Sequence, residues 1–384
     1  MKIKGRIQEK SLIALAVASL ASVAVVTPAQ ADVVVYGIAQ VEVSSVSWQE
    51  ETGTCTNNNS EVLSGANHCD GIDLIDNAQG RLGVRATEDL GNGMTGLALF
   101  EFKADTSDNV SDTADKGTGS VGISLTARES MVGLKGSWGQ VELGNLKSAY
   151  KYFGGVKYDP FVATTLEARG NGGMSGVSAY GKSTATTALG ETTPGAANGV
   201  SGVYGHMGFL KEMVGYEYNE GSINLRLTYG LADGRGDYSA GAMFQQENFE
   251  VFVALTGAGD TLDGGDGESF DSWKAGGSFK AGAHRFVVQY EQATYSIDSA
   301  PEDVEPTHLF VGWNMKLGKN TFVIQGGQLD TDNDDTPNAD TTYAAVGVIH
   351  GFSKSTNFFG GYRMSDADDD SKEDVISLGL IKRF

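Results

Sequence analysis

The sequence predicts an all-β fold: a closed antiparallel β-barrel that crosses a membrane, with sixteen strands, or eighteen if one internal insertion forms a further hairpin. Three observations carry that prediction. The chain opens with an export leader, the remainder holds no apolar run long enough for a membrane helix, and its segments alternate apolar and polar residues with period two, joined pairwise by tight turns. In lipid every backbone N–H and C=O needs a partner within the protein, so only helices and closed barrels can span it.

The leader comes first. Lys2, Lys4, Arg6 and Lys10 precede an apolar stretch from Leu12 to Val26, and Ala29-Gln30-Ala31 forms a small-x-small cleavage signal. Residues 1–31 therefore read as a secretory signal peptide, too short for a spanning helix, and residues 32–384 as one barrel domain. The full chain carries 28 Lys plus Arg against 49 Asp plus Glu; without the leader's four basic groups and Glu9, 24 face 48. Such an acidic balance excludes nucleic acid as a partner, because phosphate backbones are met by basic surfaces. Glycine is abundant, 53 of 384 residues, but 40% of the chain is apolar and no collagen period appears, which excludes collagen and disorder.

The strands follow in order. Val33, Val35, Ala39, Val41 and Val43 share one face of the first, and Gln40, Glu42 and Ser44 the other. Ile223, Leu225, Leu227 and Tyr229 alternate with Asn224, Arg226 and Thr228; Phe286, Val288 and Tyr290 with Val287, Gln289 and Glu291; Leu309, Val311, Trp313, Met315 and Leu317 with His308, Asn314 and Lys316. Period two puts successive side chains on opposite sheet faces. Tight turns are predicted at Leu90–Gly93, Gly136–Gly139, Asn219–Ser222, Gln246–Asn248, Lys280–Ala283, Leu317–Asn320 and Ser353–Thr356. These seven hairpins supply fourteen strands, and a lone first strand from Val33 and a lone last strand ending at Phe384 complete sixteen, an even number that can close. Longer polar segments lie between hairpins, so tight turns gather at one end and long loops at the other. A sixteen-stranded barrel encloses an aqueous lumen. The pairs Gly276-Gly277, Gly326-Gly327 and Gly360-Gly361 suit sharp bending or close approach in a curved wall.

With these residues in view, the chain resembles the Gram-negative general porins of the neisserial and beta-proteobacterial type. Val35-Tyr36-Gly37-Ile38 is similar to the family's opening strand, and Gly80–Arg85 with Thr87–Gly91 to its second strand and first turn. Arg128–Gly136 followed by Leu143-Gly144 resembles the fourth and fifth strands, and Ser377–Phe384 the terminal one. The resemblance implies an outer-membrane homotrimer surrounded by lipid and lipopolysaccharide, passing ions and small hydrophilic solutes passively. It also implies a third external loop folded into the lumen, and a signal for the barrel-assembly machinery on the shared face of Ile376, Leu378, Leu380 and Phe384.

Between Leu146 and Lys211 no hairpin is predicted, and an interval of that length is usually functional or flexible. It reads as an enlarged constriction loop whose Tyr158-Asp159-Pro160-Phe161 resembles the family's acidic Pro-Phe segment; the small-residue insertion at 184–202 has no assigned place. By parity Arg81 and Arg85 point opposite to Leu82 and Val84, hence into the lumen. The resemblance puts Arg81 and Arg128 on the basic wall of the eyelet, with Arg85 nearby. On the loop, Lys147, Lys151, Lys157, Arg169 and Lys182 accompany Asp159, Glu167 and Glu191. A basic wall facing an acidic loop would set up a transverse field that sorts ions by sign. Asn145 stands where family members usually carry Arg, so the expectation is a weak anion preference.

The acidic clusters Asp298–Glu305, Asp330–Asp340 and Asp366–Asp374 fall in predicted external loops, where solvation accounts for them and bridging to lipopolysaccharide through divalent ions is the functional alternative. A calcium loop at Asp330 fails, because Asp335 stands where Gly is needed and Thr341 where Glu is needed. Cys55 and Cys69 make an even pair in an exported chain, and a disulfide closing that loop is expected; with His68 they are too few for a tetrahedral zinc site. No cofactor or metal is called for. Neither a Gly-x-Ser-x-Gly elbow nor a His-Glu-x-x-His helix is present, and no enzyme activity is expected. A substrate-specific channel for sugars or organic acids and a secreted β-sandwich adhesin are the remaining alternatives.

Overall fold

The computed structural model describes residues 31–49, 71–75, 80–104, 106, 125–175, 209–231, 237–258, 268–297, 303, 305–330, 340–368 and 372–384. Its strands are β1 (Asp32–Gln49), β2 (Gly71–Ile75), β3 (Arg81–Gly91), β4 (Met94–Ala104), β5 (Leu125–Gly136) and β6 (Gly139–Lys147), then β7 (Phe209–Glu220), β8 (Ile223–Gly230) and β9 (Tyr238–Gln245). The second half contributes β10 (Phe249–Ala258), β11 (Glu268–Ala281), β12 (His284–Ile297), β13 (Thr307–Leu317), β14 (Asn320–Asp330), β15 (Thr341–Gly351), β16 (Thr356–Ala367) and β17 (Lys372–Arg383). No helix among the described residues is long and apolar enough to cross a membrane.

All seven predicted turns join neighbouring strands, and from β3 to β17 each strand pairs antiparallel with the next. The ring closes where β1 meets β17, from Ile38 opposite Arg383 to Gln49 opposite Lys372. β1 bonds β3 through residues 32–38 and β2 through residues 42–46, so β2 and β3 share one place and the barrel has sixteen positions. At the seam Gly37 and Phe384 exchange both backbone hydrogen bonds at 3.1 Å. A Cβ on Gly37 would stand 2.3 Å from Cζ of the Phe384 ring, so only glycine lets the terminal aromatic lie across the first strand. Closure removes every open sheet edge, which a β-sandwich would keep.

Alternation has the sense a membrane demands. Along β8, Ile223, Leu225, Leu227 and Tyr229 face outward and exposed while Asn224, Arg226 and Thr228 are buried inside. Outward Val33, Val35 and Val43 on β1 likewise oppose inward Gln40, Glu42 and Ser44. The buried apolar cluster lies within the barrel, between its wall and an inward-folded segment after β6: Tyr150, Phe153, Phe161 and Leu166 of that segment pack with Phe252, Phe310, Tyr343 and Phe359 of the wall.

Close approach is the reason for several wall glycines. A Cβ on Gly241 would meet the Phe153 ring at 2.5 Å, one on Gly361 would meet Leu166 Cδ1 at 2.9 Å, and one on Gly327 would meet Gly173 Cα at 2.6 Å. Gly327→Val overpacks that contact at a cost of about 1–3 kcal/mol. The variant should show a lower thermal unfolding temperature and noisier single-channel current than the parent; an unchanged current would mean that the segment does not need this seat.

Candidate functional site

The segment after β6 begins with the one-turn helix α1 (Ala149–Tyr152), capped by Ser148, whose Oγ accepts from Lys151 N at 2.9 Å. A 3-10 turn follows at Gly155–Lys157. From there the chain crosses the lumen and is tied to the wall at successive strands. Tyr150 N donates to Ser239 Oγ on β9, and Tyr150 Oη to Glu291 Oε2 on β12 at 2.6 Å. Gly155 N donates to Gln289 Oε1 at 2.6 Å, and Gln325 Nε2 on β14 to Asp159 Oδ1 at 2.8 Å. Tyr343 Oη on β15 donates to Leu166 O at 2.7 Å, and Ser365 Oγ on β16 to Asn171 O at 2.8 Å. On β1, Glu42 accepts from Thr165 N and Oγ1 while Gln40 Nε2 donates to Ala163 O. These buried hydrogen bonds leave few polar groups of the segment unpartnered, as a loop removed from water requires.

None of these wall anchors falls on β3–β5, among the described residues. That uncovered arc carries Arg81, Arg85 and Arg128. Arg128 Nε meets Glu101 Oε1 at 2.8 Å, and Arg81 Nη1 approaches the same oxygen at 3.9 Å. Tyr36 Oη donates to Glu101 Oε2 at 2.8 Å, and Arg85, which is exposed, stands 5.8 Å from the Tyr36 ring centroid. A register shift between Phe100 and Phe102 sets two β5 residues, Arg128 and Glu129, against Glu101 alone. Such a bulge re-aims side chains, and here both turn inward: Glu129 pairs with Lys147 at 3.3 Å and with Arg226 at 3.8 Å. Arg226 also meets Glu142 Oε2 at 3.0 Å.

The segment adds cations to this arc. Lys151 lies beside Arg169, Arg128, Lys147 and Arg81; burial first, then these like charges in that order, hold its ammonium pKa well below the ordinary lysine range. Lys157 is exposed. The acids behave otherwise. Asp159 is buried and accepts from Phe161 N, Ala168 N and Gln325 Nε2; Glu167 is buried and accepts from Ala163 N and from Arg169 at 2.7 Å. Among the described residues of the loop, both carboxylates are thus engaged in shaping it, because an Asx-type turn and a buried ion pair satisfy them before lumen water can; Glu191, the third acid of the expected acidic loop, lies outside the described residues.

Ile376, Leu378 and Leu380 share the outward face of β17, and Phe384 is 65% exposed at its end. Cys55, Cys69, His68, Lys182, Glu191 and the insertion at 184–202 lie outside the described residues, as does most of the acidic clusters. Sequence reasoning missed Glu101 and Glu129 as members of the site. Inward parity of Glu101 was available as a signal, whereas the bulge that lets Arg128 and Glu129 both face inward was not.

A family model described as Gram-negative porin matches residues 14–370. The chain belongs to the Gram-negative porin family. This porin is 25% identical over 417 residues to an outer membrane porin protein of Bordetella pertussis, covering 96% of this chain and 99% of that one. Over 148 residues, 38% of this chain and 37% of the other, it is 32% identical to the major outer membrane protein P.IB of Neisseria meningitidis serogroup A. Among solved structures it is similar to the anion-selective porin from Comamonas acidovorans, with TM-score 0.67 and 18% identity, covering 92% of this chain and 100% of that one. Salmonella typhi OmpF, solved with daunomycin, follows at TM-score 0.60 and 14% identity, with 92% and 97% covered. At those identities the structural likeness is one of fold. The porin is a channel of the Gram-negative outer membrane, and the segment after β6 narrows its lumen.

Proposed function

We propose that this porin is a general diffusion channel for ions and small hydrophilic solutes with a weak preference for anions, set by Arg81, Arg128, Lys147, Lys151 and Arg169 around the narrowing. The observation that carries the reading is Lys151: four cations surround it, and among the described residues no carboxylate pairs with it. Glu101, Glu129 and Glu167 offset part of this charge, which keeps the preference weak. A monovalent ion about 4 Å from one uncompensated charge in water-like surroundings gains about 1 kcal/mol, enough for a several-fold bias and no more.

Reversal potentials in a KCl gradient test this: the sign for chloride is expected near neutral pH, and the opposite sign overturns it. Because the Lys151 pKa is lowered, that residue loses its proton at a lower pH than a solvated lysine, so the preference should decline as the solution is made alkaline.

Homotrimeric assembly, cleavage before Asp32 and capture of Ile376, Leu378, Leu380 and Phe384 by the barrel-assembly machinery belong to the same proposal. β1 starting at Asp32, the outward exposure of those four side chains and a structural neighbour solved as a trimer, Vibrio cholerae OmpT, support it. The proposed role is passage without a catalytic step. A substrate-specific channel is the second reading, favoured by aromatic rings that stand beside the throat cations.

A further inference from the structure

Four cations near the narrowing pack over two aromatic rings. Arg128 Cζ lies 4.9 Å and Lys151 Nζ 5.1 Å from the centroid of Phe209, the first residue of β7. Lys157 Nζ lies 4.5 Å and Arg226 Cζ 5.2 Å from the centroid of Tyr152, the last residue of α1. Each ring thus serves one arginine of the wall and one lysine of the loop. The arginines each have a carboxylate partner, Arg128 in Glu101, which it shares with Arg81, and Arg226 in Glu142 and Glu217. The lysines do not: among the described residues no carboxylate lies within ion-pair distance of Lys151 or Lys157. Both rings are half-buried, so apolar surface remains beside each ammonium; Glu250 and Glu217 act on Lys157 only from beyond ion-pair distance.

We propose that Phe209 and Tyr152, with Lys151 and Lys157, form a binding subsite for aromatic carboxylates at the throat of the channel. The carboxylate meets the unpaired ammonium, and the arene packs on the neighbouring ring in an offset or edge-on arrangement, which aromatic pairs prefer. A ring face is electron-rich and already attracts the cation, so an arene presents the lysine with a second face as well as a charge. An aliphatic acid of the same charge gains only the ion pair, and an aromatic cation is repelled. The lysines are held in place for this task. Lys151 is on the turn capped by Ser148, whose Tyr150 is hydrogen-bonded to Glu291, and the carbonyl of Lys157 accepts from Arg285 Nη1 at 3.0 Å. A prearranged site loses less freedom on binding.

The subsite rests on the anion preference proposed above, and the experiment separates the two. Purified porin in planar bilayers, in KCl, receives benzoate, cyclohexanecarboxylate, acetate or benzylammonium on one side. Benzoate should interrupt the chloride current with saturation, binding about tenfold more tightly than acetate, the ratio that one aromatic contact of about 1.4 kcal/mol supplies. Cyclohexanecarboxylate should fall between them and benzylammonium should not block. Phe209→Leu should lower benzoate affinity severalfold, Phe209→Tyr should restore it, and Lys151→Gln should remove most of the block. Equal block by benzoate and acetate, or benzoate block indifferent to Phe209→Leu, overturns the subsite even where the reversal potential confirms anion preference. A cation-selective reversal potential overturns the underlying preference instead.

Discussion

Replacing both Arg81 and Arg128 with Glu is expected to reverse the sign of the reversal potential in a KCl gradient. The two guanidiniums share Glu101, at 3.9 Å and 2.8 Å, on the arc of wall where, among the described residues, none of the loop's named anchors falls. Each substitution exchanges a positive for a negative charge, and the pair places two new carboxylates around an existing one. With about 1 kcal/mol per unit charge for an ion passing about 4 Å away in water-like surroundings, the combined change outweighs Lys151 and Arg169 and should move the permeability ratio at least tenfold toward potassium. High salt should shrink the effect, since the Debye length falls to about 3 Å at 1 M. If the double variant inserts and stays anion-selective, the loop cations rather than the wall set the sign.

The second large effect concerns the far end of the loop. Arg363 and Glu373 form an ion pair at 2.8 Å with both side chains fully buried, and Arg363 Nη1 also donates to Asn171 Oδ1 and to Ser365 Oγ. Arg363→Met removes the guanidinium from this buried pair, and breaking one side of such a pair costs about 3–5 kcal/mol. The same change removes the Arg363 bond to the Asn171 side chain and leaves the Ser365 Oγ bond to its carbonyl as the tie to the wall. The variant is expected to unfold at a distinctly lower temperature on electrophoresis in detergent and to conduct in larger, less steady steps. Adding Glu373→Leu removes the buried carboxylate as well and should recover most of the stability, yet the current should stay less steady because Asn171 keeps only its carbonyl bond to Ser365. Recovery of a quiet current by the double variant would show that the ion pair supports the wall and not the loop.

The strands and turns were legible for a local reason. A strand of a membrane barrel meets lipid on one side and a polar interior on the other, so Ile223 to Tyr229 must alternate whatever lies elsewhere in the chain. A tight turn is likewise a property of a few consecutive residues, as at Lys280–Ala283, where Gly282 takes φ 59°. The site was legible only in part. Arg81 and Arg128 could be named from the family resemblance, but Glu101 as their common partner depends on β4 lying between β3 and β5, and the inward turn of Glu129 depends on a bulge. The count of loop charges misled for the same kind of reason. Asp159 and Glu167 count as loop charges by sequence, whereas Glu167 is held by Arg169 and Asp159 by Phe161, Ala168 and, across the lumen, Gln325 of the wall.

What the sequence by itself determined is the closed barrel, its sixteen strand positions, its seven tight turns and the long interval after β6, because each follows from periodicity or from residues adjacent in the chain. The tertiary structure alone decided which carboxylates remain to balance the throat and where the loop rests. Those outcomes turn on contacts such as Arg363 with Asn171 and Glu42 with Thr165, between residues more than a hundred positions apart, which no local pattern encodes. They exist only once closure has set β16 and β1 around a common lumen and the small residues of the wall have made room for the loop.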